Sequence, residues 1–107
     1  MIIVTTNEVP GREIVEVIGL VRGTTVRARD VLRDIRALFR NVVGGELVGY
    51  TKLVAESREQ AIDRLIAEAR AGGADAVVAF RFATSEVARS ASEVVAYGTA
   101  VRLAPQR

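Results

Sequence analysis

Residues 13–27 read EIVEVIGLVRGTTVR, and this stretch decides the fold. It is rich in Val and Ile, lacks Pro, and has the composition of a long strand. Its two faces would be Ile14/Glu16/Ile18/Leu20/Arg22 and Val15/Val17/Gly19/Val21/Gly23. Both are largely apolar, so the strand is expected to be covered on both sides. A helical layer from a single chain of 107 residues covers one face; the other is expected to meet a second chain.

Towards the amino terminus, residues 2–5 form a short β-prone run, followed by a turn at Pro10-Gly11. Towards the carboxyl terminus the period becomes helical over 28–43. There Ala28, Val31, Leu32, Ile35, Leu38, Phe39 and Val42 fall within an arc of about 120°. Arg29, Arg33, Arg36 and Arg40 cluster on another face of that helix. They are the most nucleic-acid-like feature present, but no aromatic interleaves with them to stack bases. A basic, solvated or subunit-contacting face is the favoured reading.

Residues 43–50, VGGELVGY, then turn the chain into a second helix over 46–71. GGELVG matches neither a Walker loop nor a dinucleotide fingerprint, and Glu46 in the first turn would oppose a bound anion. The second helix carries Leu47, Val48, Thr51, Val54, Ala55, Ala61, Ile62, Leu65, Ile66 and Ala69 as one stripe. Arg58 interrupts that stripe, either snorkelling to water or paired at a subunit contact. Gly72-Gly73 ends the helix as a carboxyl-terminal cap. Strands over 74–86 and 93–103 follow, joined as an antiparallel hairpin through a polar connection. The expected order is β-β-α-α-β-β. It describes a single α+β domain over 1–107, with an antiparallel sheet on a long helix and a frayed tail at 104–107.

Composition narrows the chemistry. Half the residues are hydrophobic yet only five are aromatic, which is a high apolar fraction for a small monomer. Net charge is +2, carried by 14 Arg and one Lys, too little to call for a nucleic-acid partner. There is no Cys and no His, which removes thiol nucleophiles, imidazole acid–base chemistry and the usual zinc sites. Only a hard cation held by oxygen remains open as metal chemistry, through Asp75, Glu86 or Glu93. No serine stands in a nucleophile elbow. With no signal peptide and no membrane-spanning run, the cytoplasm is the expected location.

Taken together, IVTT, the Pro-Gly turn, EIVEVIGLVRGTTVRARD, RDIRALFRNVVGGE, YTKLVAESREQAIDRLIAEARAGGADAVVAFRF and EVVAYGTAV resemble the YbjQ-like family. The likeness runs from Ile2 to about Leu103. It implies a dodecin-subunit-like α+β fold assembling as a pentameric ring or a pair of rings. It also brings the family's label, "putative heavy-metal-binding", without a known biochemical role. The matching polar positions are Thr5, Thr6, Arg58, Arg81, Ser85, Glu86, Tyr97 and Thr99, as a ligand site or a subunit contact.

The sequence thus leads to a cytoplasmic, non-enzymatic homo-oligomer that binds a small ligand or ion between subunits. No cofactor and no membrane partner are expected. The alternatives are a nucleic-acid-binding ring using Arg29, Arg33, Arg36 and Arg40, and an enzyme using Arg81, Glu86 and Tyr97. A charged residue in place of Val54 or Leu65 is expected to break the fold or the ring; circular dichroism with native mass spectrometry reads both.

Overall fold

The computed structural model describes residues 1–27, 42–43, 46–88 and 91–106. The helix expected over 28–41, the basic face of Arg29, Arg33, Arg36 and Arg40, and Gly44-Gly45 lie outside these described residues. In chain order the elements are β1 (Ile2–Ile3), β2 (Ile14–Arg27), β3 (Val42–Val43), β4 (Glu46–Leu47), α1 (Val48–Ala71), β5 (Ala76–Ala88) and β6 (Ala91–Leu103).

The decisive stretch forms one strand of 14 residues. It pairs antiparallel with β6, β6 pairs antiparallel with β5, and β1 pairs with β5 in parallel. The sheet order is β1-β5-β6-β2, so this α+β sheet is mixed where an antiparallel one was expected. Past Ile3 the chain stays beside β5: Val4 N donates to Val77 O at 2.9 Å and Phe80 N donates to Val4 O at 3.0 Å. Residues 4–13 then pass over one end of the sheet. The Pro-Gly turn closes there, with Arg12 N donating to Val9 O at 3.0 Å.

Two further boundaries differ from the sequence reading. Val42 and Val43, expected to end a helix, pair antiparallel with Leu47 and Glu46. β-Branched side chains favour extended backbone, and α1 consequently begins at Val48. The hairpin is also longer than 74–86 and 93–103, because the small residues Ala88 and Ala91 still pair. Ala104, expected to fray, is held: its N–H donates to Glu13 O at 2.8 Å and its carbonyl accepts from Arg12 Nη2 at 3.1 Å.

α1 ends as expected. Gly73 N donates to Arg70 O and Ala74 N to Ala69 O, each at 3.0 Å, with Gly73 at φ 81°. This is the paired-bond cap that a left-handed glycine permits. The helix runs unbroken through Ser57-Arg58-Glu59-Gln60, and its buried line is Ser57, Ala61, Leu65 and Ala69. These four recur every fourth residue, so they lie along one side of the helix. Arg58 falls beside that line and is exposed.

Two apolar clusters lie on opposite faces of the sheet. On the helix face, Ala61, Leu65 and Ala69 pack with Val21, Val77, Ala96 and Ala100. On the outer face, Val9 covers Ala76, Val78, Val101 and Leu103 near one end. The rest of that face extends beyond the cover. Consistent with this, the Cα radius of gyration is 17.2 Å, against about 13 Å for a compact chain of this length.

β2 forms one edge of the sheet, and α1 occupies that edge. Arg22 N donates to Glu68 Oε2 at 3.1 Å, and Arg64 Nη1 donates to Thr24 O. Charged side chains thereby take up edge groups that would otherwise template another strand. Inward of them, Thr25 Oγ1 donates to Ser57 O at 3.2 Å. At Gly23 the helix comes closest: a Cβ there would lie 2.0 Å from Ala61 O and 2.4 Å from Leu65 N. Both are backbone atoms, so relief requires the whole helix to move. Gly23→Ala is expected to destabilise the fold by about 3 kcal/mol, measured by urea unfolding; an unchanged midpoint would refute the close approach.

Candidate functional site

The candidate site begins with a fault in β5. Its register against β6 shifts between Val78 and Arg81, so one extra residue is accommodated there. Ala79 takes φ 53°, a left-handed conformation that costs an alanine about 1–2 kcal/mol. The amino-terminal segment docks on this bulge, with Ala79 N donating to Thr6 O at 2.8 Å. Bulges re-aim side chains, and here the residue re-aimed is Arg81.

The Arg81 guanidinium is held on the β1 side of its strand. Its Nη1 donates to Thr5 O at 2.9 Å and to Phe80 O at 2.7 Å, and three of its five N–H groups remain for other partners. Register partners share a face of the sheet. Tyr97 is opposite Arg81 on one side and Arg22 on the other, which makes a row Arg22–Tyr97–Arg81 across three strands on the outer face. The next row towards the covered end is Leu20–Thr99–Val78, and the next towards the hairpin tip is Thr24–Val95–Ala83. Among the described residues the one ion pair is Arg102 with Glu16, at 3.7 Å; neither the Arg22 nor the Arg81 guanidinium is ion-paired there, although the Glu68 carboxylate lies against the Arg22 backbone N–H.

Of the residues expected from sequence, Thr5, Thr6, Arg81, Tyr97 and Thr99 gather around this row. The two threonines take part through their backbone carbonyls, while Thr6 Oγ1 donates to Glu8 O at 2.6 Å. Ser85 shares the outer face but pairs with Glu93, two rows away or about 13 Å along the strand. Glu86 pairs with Ser92 and, one residue further on, points to the opposite face. Arg58 stands on α1, away from the group. Arg81, Glu86 and Tyr97 therefore do not converge. Glu86 and Glu93, which bracket the hairpin tip, lie on opposite faces rather than approaching each other. Asp75 is engaged elsewhere, its Oδ2 accepting from Leu103 N at 2.8 Å.

Sequence reasoning missed Arg22. It stood as the last residue of a supposed apolar face, and the signal it gave was being a lone cation there. Its partnership with Tyr97 depends on strand register, which spacing along the chain does not specify.

The chain has clear relatives. A YbjQ-type family model described as "Putative heavy-metal-binding" matches residues 1–104. A UPF0145 protein of Halorubrum lacusprofundi is 58% identical over 98 residues, covering 92% of this chain and 94% of that one. One from Clostridioides difficile is 52% identical over 103 residues, covering 96% and 92%, and one from Shewanella frigidimarina is 47% identical over the full 107 residues of both chains. Among solved structures, a protein of unknown function from Pediococcus pentosaceus, belonging to the DUF74 family, aligns with TM-score 0.63. It does so at 18% identity, over 97% of this chain and 98% of that one; this likeness is one of fold.

The metal in that description does not fit the donors present. Heavy, soft metals favour thiolate and imidazole, and the chain has neither. Among the described residues no group of three or more carboxylates is placed to hold an ion. What the row does present is two arginine positions in register with a tyrosine. The bulge that presents one of them yields the test: Ala79→Gly is expected to be neutral or stabilising by up to about 1 kcal/mol, where an Ala→Gly change in an ordinary strand position costs about as much. Urea unfolding of the variant decides the sign.

Proposed function

This chain belongs to the YbjQ family, and we propose that it works as a non-enzymatic, cytoplasmic homo-oligomer. Its subunits form a pentameric ring, single or paired, meet through the outer face of the sheet, and hold a small ligand in that contact. The observation that carries this reading is the exposure of β2. Val15 is 55% exposed, Val17 66%, Leu20 67% and Val26 54%. Large apolar side chains concentrated on one strand are uncommon on a monomer's surface and mark interaction sites. Each is already partly buried, so covering it with a neighbour would contribute about 1–2 kcal/mol. The extended shape, 55 × 29 × 18 Å, supports the same reading, because a chain that leaves its sheet face bare gains by covering it with a copy of itself.

Two features support a role in binding rather than catalysis. Among the described residues, the polar side chains around Arg81 include no base paired with a nucleophile. The proposed enzyme set of Arg81, Glu86 and Tyr97 is divided between two faces. The nucleic-acid alternative rests on Arg29, Arg33, Arg36 and Arg40, outside the described residues, and no observation favours it.

Native mass spectrometry of the purified protein tests the reading, since it weighs the assembly and any retained ligand together. Leu20→Asp is the matching variant, because Leu20 is exposed in the single chain and its loss should spare the fold. The expected outcome is an assembled wild-type mass that falls to the monomer in Leu20→Asp with an unchanged circular dichroism spectrum. A monomeric wild type, or a variant that keeps the assembled mass, would overturn the contact.

A further inference from the structure

The two edges of the sheet are treated differently. Along β2, the side chains of Glu68 and Arg64 engage edge groups of Arg22 and Thr24. Along β5 the neighbouring strand stops short. β1 pairs at Ala76 and Val77, Phe80 N donates to Val4 O, and the Arg81 guanidinium closes the row on Thr5 O and Phe80 O. Over 82–88, β5 has β6 on one side and, among the described residues, no strand on the other. Phe80 turns both its N–H and its C=O to that side, and backbone direction alternates along a strand. Phe82, Thr84 and Glu86 therefore present their N–H and C=O groups at an open edge. We propose that this edge is an interaction surface for a second copy of the chain, whose own β5 adds antiparallel about a two-fold axis at Thr84 to make one continuous sheet.

Register singles out the occupant. Pairing centred on Thr84 sets Thr84 opposite itself and Phe82 opposite Glu86 of the partner subunit, so every free group of the three residues finds a bond. Centred on Phe82, the added strand would need Phe80, which Val4 and Arg81 already hold. Centred on Glu86, two carboxylates would stand directly opposite each other, a destabilising pair. Centred on Ala83, Glu86 would meet the occupied Phe80; centred on Ser85, Phe82 would meet the register shift between Glu86 and Ala88. The edge is also undefended. Residues 82–88 read FATSEVA, with no Pro, no Lys and one charge, the features that keep a lone edge strand single. Residues 82–86 are exposed, and Phe82 keeps 40% of its surface. Strand addition takes its affinity from main-chain bonds, and a two-fold contact uses the same patch on both copies. Singly the contact is weak. The proposal rests on the reading above in one respect, that a ring repeats the contact around its circumference and the copies act together.

Native mass spectrometry and cross-linking test the edge. Thr84→Pro removes one edge N–H, and Pro is tolerated at an edge position whose N–H faces outward. It is expected to keep the circular dichroism spectrum and to halve the assembled mass of the wild type. Thr84→Cys is the second variant, in a chain with no other Cys. Residues that exchange both bonds across an antiparallel pair have Cα atoms about 5.5 Å apart, within the span of a disulfide, so mild oxidation is expected to link two chains. Ser85→Cys would face Ala83 of the partner subunit rather than its own copy, and is expected to link several-fold less. A wild-type assembly with an odd number of chains, an unchanged mass in folded Thr84→Pro, or linking through Thr84→Cys no better than through Ser85→Cys would overturn the edge. Should Thr84→Pro fail to fold, the cross-linking comparison decides alone. A single ring without a link through Thr84→Cys refutes the edge and spares the ring; a wild type of two chains that links there does the reverse.

Discussion

The backbone of α1 rests on the backbone of β2 at Gly23, and the other features of the chain follow from that contact. With no side chain between them, Ala61 and Leu65 come down onto the strand. Thr25, Arg22 and Thr24 then fall within reach of Ser57, Glu68 and Arg64. The helix is thereby committed to the β2–β6 half of one sheet face and to the edge beside it. It cannot serve the other face. Among the described residues, covering that face falls to residues 4–13, whose Val9 packs at the end built from Ala76, Val78, Val101 and Leu103. Among the described residues, a helix of 24 residues and a short amino-terminal strap leave part of this long hairpin face uncovered, and Val17, Leu20 and Val26 are exposed.

Bulges then decide which side chains share a surface. β2 shifts register between Ile14 and Glu16 and again between Val17 and Gly19. Each extra residue reverses the alternation that follows it. Ile18 consequently packs towards the helix while Leu20, nominally on the same face, is exposed. In β5 the fault at Ala79 does the same for Arg81, and the amino-terminal segment pins it by bonding to the N–H groups of Ala79 and Phe80. The cationic row with Tyr97 is thus a product of faults in two strands and of the strap that holds one of them.

The side-chain inventory of this chain bounds its chemistry. A chain without Cys or His has few ways to activate a nucleophile or bind a soft metal, and its carboxylates are dispersed. What it has in quantity is arginine, 14 residues of it. Arginine keeps its charge at any working pH and offers planar, directional donors. The family's heavy-metal description finds no support in such a donor set.

How much of this was legible beforehand differs from element to element. β2 could be read from its β-branched composition, α1 from its period, the end of α1 from Gly72-Gly73, and the turn before β2 from Pro10-Gly11, because each depends on neighbours along the chain. The polar positions Thr5, Thr6, Arg81, Tyr97 and Thr99 came from family resemblance, and they do gather; Ser85, Glu86 and Arg58, drawn from the same source, do not. Arg22 was passed over altogether. Local sequence determined which segments are strand, helix and turn, since propensity and hydrophobic period act over a few residues. Tertiary structure alone decided the faces and the rows: one added residue in a strand turns every later side chain over, and where it is added depends on the helix, the strap and the partner strand packed against it.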